Sequence, residues 1–351
     1  MKSILGCVSL VASSALQALA AYSFVPDNTG LQIDKYVSPL PVQYELADSQ
    51  AFKPGVSSSY WASSYIQGSD GHQYLVISHF ITIDPPGIAV RRASILDVTN
   101  PSYYNQSSTV GVPPPSVDEG SAGVNVIYDD YGFVSTTADP LGPISMYSTN
   151  PASTFNITFS LSTPVILNGG QGSFLWEDVI ANQWSMPTGT TTGSLTVDGA
   201  VITIDSKKSF TWYDRQFQSS GASEWTWFAL HTTSAITKAR KTYSIWFSPD
   251  GHGGTKGFAT VRDKKGVQSV VAAKLTTRGS PWASPASGIE YATEWNVSLA
   301  DDTSFNIKIL RKDQEMVDPQ VTQSTYEGFV HVSGIGVSGY GVVEIQPPVN
   351  F

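Results

Sequence analysis

The sequence predicts an all-β protein built from two antiparallel β-barrels in tandem. Three observations carry that expectation. Only 14% of the residues are charged while 11% are aromatic, a composition that suits pleated, half-buried surfaces better than solvated helices. Runs of Ala, Glu, Lys and Leu at helical spacing are missing, so no helix is expected beyond the first residues. Turn dipeptides recur at Asp70-Gly71, Asp198-Gly199, Asp250-Gly251 and Gly253-Gly254, which are hairpin signals.

At the N-terminus, Lys2, the apolar stretch Ile4–Leu16 and the small residues Ala18-Leu19-Ala20 have the order of a cleaved secretory leader. The apolar run is broken by Ser13, Ser14 and Gln17 and falls short of the roughly 20 residues a membrane span needs. Residues 1–20 are therefore expected to be removed and the protein secreted. No later segment is apolar enough to cross a bilayer, and the ending IQPPVNF lacks a lipid-anchor tail. Removing Lys2 takes the 20 basic residues to 19 against 29 acidic, a net charge of −10, which disfavours nucleic acid and membrane partners. The single cysteine, Cys7, leaves with the leader, so the mature chain must be held by packing. A chain of this length can bury enough surface for that. Three sequons, at Asn105, Asn156 and Asn296, are expected glycosylation sites on the surface.

The elements follow in order. Tyr60–Ser78 reads as an aromatic strand, a turn and an apolar strand. Pro101–Gly123, rich in Pro and Ser, reads as a long loop. Ser194–Ile204 reads as a hairpin about Asp198-Gly199. Trp225–His231, leading through a polar turn into Thr242–Phe247, repeats the first plan. A duplicated barrel accounts for the length and removes sheet edges. The small polar stretch Gln218–Ser223 divides the expected domains, 21–217 and 218–351.

The segment Thr211-Trp-Tyr-Asp-Arg-Gln-Phe217 is the most unusual. As a strand it places Trp212, Asp214 and Gln216 on one face and Tyr213, Arg215 and Phe217 on the other. An inward Asp214 would be desolvated and could serve as general acid or base; it could equally pair with a nearby Arg as a structural bridge. Upstream, Glu177, Gln183 and Trp184 share an aromatic setting. Glu177 is the second candidate carboxylate, with a solvated position beside a turn as its alternative. Around Tyr326-Glu327-Gly328 and Gly339-Tyr340-Gly341, the glycines suggest strand bends, with Glu327 and Glu344 structural. The five histidines have no metal-binding spacing, so no metal is expected. His231 shares a face with Trp225 and Trp227, as a core or rim residue. No phosphate loop or Gly-x-Ser-x-Gly elbow is present, which disfavours nucleotide cofactors and α/β-hydrolase chemistry. A Trp-rich secreted protein could bind or cleave polysaccharide, but the chain lacks the Glu-x-Asp-x-x-Glu pattern of jelly-roll glycanases.

Through Trp212–Phe217, Trp225–Phe228, Tyr326-Glu327-Gly328 and Gly339-Tyr340-Gly341, the chain resembles the fungal group of secreted hetero-Diels-Alderases and kievitone hydratase. That group is related to hydroxyneurosporene synthase and the wider Diels-Alderase family. The resemblance runs from about Trp61 to Glu344. It implies two lipocalin-like, calycin-type barrels with substrate at or between them. Where wider relatives carry Tyr-His-Asp, this chain has Tyr213-Asp214-Arg215, so a histidine beside the acid is missing. The expected protein is a cofactor-independent cyclase of fungal secondary metabolism, joining an o-quinone methide and an alkene in a hydrophobic polyketide-terpenoid. The alternatives are a hydratase of a prenylated phenolic, a lipocalin-like carrier, or a polysaccharide-active protein. Asp214, Tyr213, Arg215 and Glu177 are the candidate catalytic residues. Trp61, Tyr65, Trp184, Trp212, Gln216, Trp225, Trp227, His231 and Tyr326 are the candidate substrate contacts. A hydrophobic small molecule is the expected partner, and the protein a monomer or weak dimer.

Overall fold

A computed structural model describes residues 22–26, 44–52, 55–84, 87–114, 123–219, 223–250, 252–263 and 265–348. The expected leader, and residues 220–222 of the expected domain boundary, lie outside them. The first sheet comprises β1 (Ser57–Gln67), β2 (Gln73–Ile83), β3 (Ile88–Asp97), β4 (Tyr104–Gly111), β5 (Asn125–Ile127), β6 (Tyr131–Ser135), β7 (Ile144–Ser148), β8 (Phe155–Ser160), β9 (Ile166–Leu167), β10 (Ser173–Trp176), β11 (Val179–Val197), β12 (Ala200–Thr203) and β13 (Phe210–Gln218). After it come β14 (Trp225–Ser234), β15 (Arg240–Pro249), β16 (Thr255–Asp263), β17 (Gln268–Arg278), β18 (Trp282–Ala283), β19 (Glu290–Tyr291), β20 (Glu294–Leu299), β21 (Ser304–Ile309), β22 (Glu315–Val317), β23 (Ser324–Gly334) and β24 (Val337–Gln346).

The fold is the all-β, two-barrel, lipocalin-like architecture. The second unit closes: β14-β15-β16-β17-β20-β21-β23-β24 runs as a ring, with β21 pairing β23 and β24 pairing β14. Closure leaves no long edge in that ring. The first unit is a curled sheet in the order β4-β3-β2-β1-β13-β11-β8-β7-β6-β5, with β9, β10 and β12 attached to β11. The long strand β11 shifts register between Met186 and Gly189, a bulge that accommodates Pro187, which has no ladder donor.

Apolar residues fall into three layers. One lies inside the curled sheet, where Tyr60, Phe80, Phe133 and Tyr213 pack. A second fills the closed ring, around Phe228, Trp295 and Phe305. The third lies between the units, where the other face of β1, β2 and β13 (Trp61, Ile77, Trp212) meets the outer face of the ring (Trp225, Trp227, Phe329). Strands in this position are covered on both faces, which is why β1 and β13 place aromatic side chains on both of them.

Two expectations change. The Pro101–Gly123 stretch is not all loop, because its Ser/Thr-rich part forms β4 as the edge partner of β3. A half-exposed edge strand tolerates small polar residues that a core strand does not. A short helix, α1 (Leu46–Gln50), is also present. Its Ser49 and Gln50 plug the curled sheet, bonding Trp184 and Tyr213. The hairpin about Asp198-Gly199 forms as expected, both residues taking positive φ (48° and 80°), as its tight turn requires. Asn105 and Asn156 are exposed, whereas Asn296 is half-buried and its side-chain amide donates to the Phe305 carbonyl at 3.4 Å.

Candidate active site

Strand register assembles the site. On the curled sheet, Arg92 (β3), His79 (β2), Trp61 (β1), Asp214 (β13) and Ser185 (β11) are direct cross-strand partners in sequence. They make one row across five strands. On the facing wall of the ring, Glu327 (β23), Glu344 (β24), Trp227 (β14) and Trp246 (β15) form a second row in the same way. The two rows flank a narrow cleft. Trp61, Trp176, Trp225, Trp227 and Trp246 supply its aromatic walls, and His79, Arg92, Asp214, Gln216 and Glu344 its polar groups.

The rows are tied across the gap. Trp61 Nε1 donates to Glu327 Oε2 at 2.7 Å, and His79 Nδ1 lies 2.7 Å from Glu327 Oε1. Arg92 stands 4.0 Å from the same carboxylate. On its other side, His79 Nε2 is 3.1 Å from Ser59 Oγ. A carboxylate accepting at Nδ1 leaves Nε2 to accept from the serine hydroxyl. All of these charged and titratable groups are buried. Burial holds the His79 imidazole below its usual range despite Glu327, with Arg92 acting in the same direction, which favours the neutral ring with Nε2 free to accept. Glu344 accepts from Trp225 Nε1 at 3.2 Å. Burial, and then the Glu327 charge opposite, push its carboxyl well above the usual range, which favours its protonated form. Ligand atoms of His79, Glu327 and Glu344 come within 4.8 Å of one another. The adjacent Arg92 cation and the two indole donors already compensate these carboxylates.

Asp214 lies on the same wall as Trp61. Its Oδ1 accepts from Gln183 Nε2 at 2.8 Å and Ser185 Oγ at 2.6 Å, and its Oδ2 accepts from Trp212 Nε1. Burial raises its pKa to about 7, with the three donors pulling the other way. Among the described residues it forms no ion pair, so the Arg-bridge alternative falls.

The alternation anticipated for Trp212–Phe217 holds, and it separates the candidate residues. Trp61, Asp214, Gln216, Trp225 and Trp227 line the cleft. Trp212 stands behind Asp214 and orients it. Tyr213 and Arg215 point into the opposite core: Tyr213 bonds Gln50, while Arg215 bonds the Ser49 carbonyl and lies 4.1 Å over the Tyr60 ring. Trp184 is on that side too, with its indole N–H on Ser49. Glu177 sits in a turn at φ 52° and accepts from Ser223 N and Oγ; its neighbour Trp176 reaches the cleft instead. Tyr326 faces the ring interior, donating to the Arg311 carbonyl, because alternation gives the cleft to Glu327. Tyr65 and His231 are T-stacked at 5.5 Å in a separate aromatic group. His231 lines a second cleft with Arg240 and Tyr340. Its pKa is lowered to about 3 by burial and then by Arg262 and Arg240.

The sequence reading missed His79, Arg92, Glu327 and Glu344 as a set. Glu327 and Glu344 are each the one carboxylate of their strand, and that was the available signal; Arg92 stands beside Arg91 and carries none of its own. Their convergence depends on register between strands far apart in sequence.

Residues 82–347 match the model of the AttH-like family. The chain belongs to that family. Among its relatives, kievitone hydratase of Fusarium solani subsp. phaseoli is 34% identical, over 97% of this chain and 96% of that protein. The dehydratase asqC of Emericella nidulans is 30% identical over 96% of this chain and 98% of its own length. The crystal structure of kievitone hydratase from Nectria haematococca superposes with a TM-score of 0.81 at 31% identity, covering 93% of this chain and 98% of that one. This AttH-like protein is an enzyme of the hydro-lyase kind, and a small-molecule substrate is consistent with those relatives.

Proposed function

We propose that this protein adds water to, or removes it from, a tertiary prenyl-type carbon of a hydrophobic substrate. One observation carries the reading: Glu344, whose protonated form burial favours, and His79, whose neutral form it favours, meet within 4.8 Å inside an aromatic cleft. In hydration, the Glu344 carboxyl gives its proton to the less substituted alkene carbon. Positive charge then develops on the tertiary carbon, where the faces of Trp225 and Trp227 can steady it. Water attacks that carbon and loses a proton through the Ser59 hydroxyl to His79 Nε2, whose imidazolium is stabilised by Glu327. Return of that proton from His79 to Glu344 restores the starting state, so only water is consumed. Dehydration is the same path reversed. The test is conversion of a prenylated phenol to its tertiary alcohol in heavy water. The reading expects deuterium at the adjacent carbon and loss of conversion in Glu344→Gln; full activity in that variant would refute it.

A cyclisation reading is favoured by Asp214. With a pKa of about 7, its protonated form offers a hydrogen bond to an oxygen gaining charge, and a cycloaddition needs little beyond alignment and such a donor. Glu344 and the Ser59–His79–Glu327 chain would have no part in that reaction, which places it second. Export of the enzyme belongs to the proposal, supported by the leader-like residues 1–20 and the exposed sequon residues Asn105 and Asn156.

A further inference from the structure

The indoles around the cleft divide by what their N–H groups touch. Those of Trp61, Trp212 and Trp225 are committed to Glu327, Asp214 and Glu344, and that of Trp227 donates to Ser244 Oγ at 2.9 Å. The other two cleft indoles, Trp176 and Trp246, have buried Nε1 atoms with no partner. Their rings stand 4.9 Å apart, and both line the cleft. Gln183 completes the pattern with the opposite polarity. Its Nε2 is held by Asp214, while its buried Oε1 receives no hydrogen bond. Native proteins leave few buried donors and acceptors unpaired, because each has given up water without replacement. Three donors of that kind, Arg92 Nε being the third, and one acceptor line one cleft; Arg92 approaches the Glu327 carboxylate, whereas the two indole N–H groups have no such neighbour.

We infer that Trp176 and Trp246 form a substrate-oxygen subsite, donating their indole N–H groups to an oxygen on the part of the substrate that does not react. Gln183 Oε1 accepts a hydrogen bond from a hydroxyl of the same body. The non-reacting part of the substrate then carries oxygen, and a bare terpene hydrocarbon is excluded. This rests on the cleft being the substrate site, as in the proposed function. Subsites of this type discriminate strongly, because a substrate lacking the oxygen leaves the donors unpaired.

The experiment compares para-prenylphenol with prenylbenzene, which lacks only the oxygen, by calorimetric titration of the full-length protein. Wild type is expected to bind the phenol about ten-fold more tightly. In Trp176→Phe/Trp246→Phe, which keeps the rings and deletes the N–H groups, the preference should shrink to within about two-fold. An unchanged preference in the variant, or none in the wild type, overturns the inference. Should the double variant not fold, indole 15N–H spectra of the unmutated protein decide. Two of the nine tryptophan signals should move downfield with the phenol and not with prenylbenzene; no such pair of shifts refutes the subsite. Glu344→Gln is assayed separately. No phenol preference in the wild type, with Glu344-dependent hydration intact, sinks the subsite alone, and a preference that the double variant loses, with hydration unaffected by Glu344→Gln, sinks the hydration reading alone.

Discussion

Glu327 and Glu344 stand directly opposite each other on β23 and β24, two buried carboxyls as nearest cross-strand neighbours. Like charges in that position repel, and the protein resolves the conflict by unequal solvation. Glu327 receives Trp61 and His79 with Arg92 beside it, and burial favours the protonated form of Glu344.

Glu344→Gln mimics the protonated acid, so the fold should tolerate it while the acid is lost. Conversion of a prenylated phenol should fall by about 10²–10⁴-fold, the usual worth of a positioned general acid. Stability should match wild type below about pH 4.5, the ordinary value of the carboxyl, and become relatively higher as pH rises above it. There the wild-type protein must either keep a proton that the unfolded chain has released or bury a charge. Steady-state kinetics and urea unfolding check both halves.

Trp61→Phe removes the indole donor that joins the two units at Glu327. The expected cost is about 1–3 kcal/mol, because a buried acceptor loses a partner. Combining it with Glu327→Gln should cost less than the sum of the single changes, since both break one contact. Urea midpoints of the four proteins measure the coupling.

Asp214 should make stability depend on pH with a defined sign. Its folded pKa, about 7, lies above the ordinary 3.8, so between these values the folded chain binds the extra proton. Stability contributed by the protonated form is complete below the lower value and falls as pH rises towards about 7, with a limiting slope of about 1.4 kcal/mol per pH unit. Asp214→Asn should abolish that component. Equal pH slopes in wild type and variant, measured by urea unfolding over this range, would rule out the raised pKa.

His79→Gln and Ser59→Ala separate water capture from alkene protonation. Both should lower hydration, His79→Gln by about 10²-fold or more and Ser59→Ala by less, while deuterium exchange into recovered alkene persists. Exchange lost in parallel with hydration would mean that His79 acts before the cation forms. Mass spectrometry of recovered substrate in heavy water reads the difference.

The strand class, the Asp198-Gly199 hairpin, the two-unit plan and the face alternation of Trp212–Phe217 were all legible in the sequence, because each is set by short-range pattern. Alternation alone put Asp214 and Gln216 with Trp212 and set Tyr213 and Arg215 on the other face. It did not say which face was the cleft. Tyr326 and Glu177 illustrate the limit: in each the motif lies at the cleft, but the residue that reaches it is the neighbour, Glu327 or Trp176. One position along a strand reverses the face.

What the sequence determined by itself was composition, strand period and turn chemistry, and hence a β protein held by packing, with an aromatic strand carrying one acid. What only the tertiary structure decided was register. Arg92, His79, Trp61 and Asp214 share a row because four strands pair at particular offsets, and Glu327 reaches them because the closed ring packs its outer face on that sheet. Packing faces are settled by contacts as distant as Trp61 to Glu327, and burial between those layers is what shifts the proton affinities of ordinary carboxyls and an ordinary histidine.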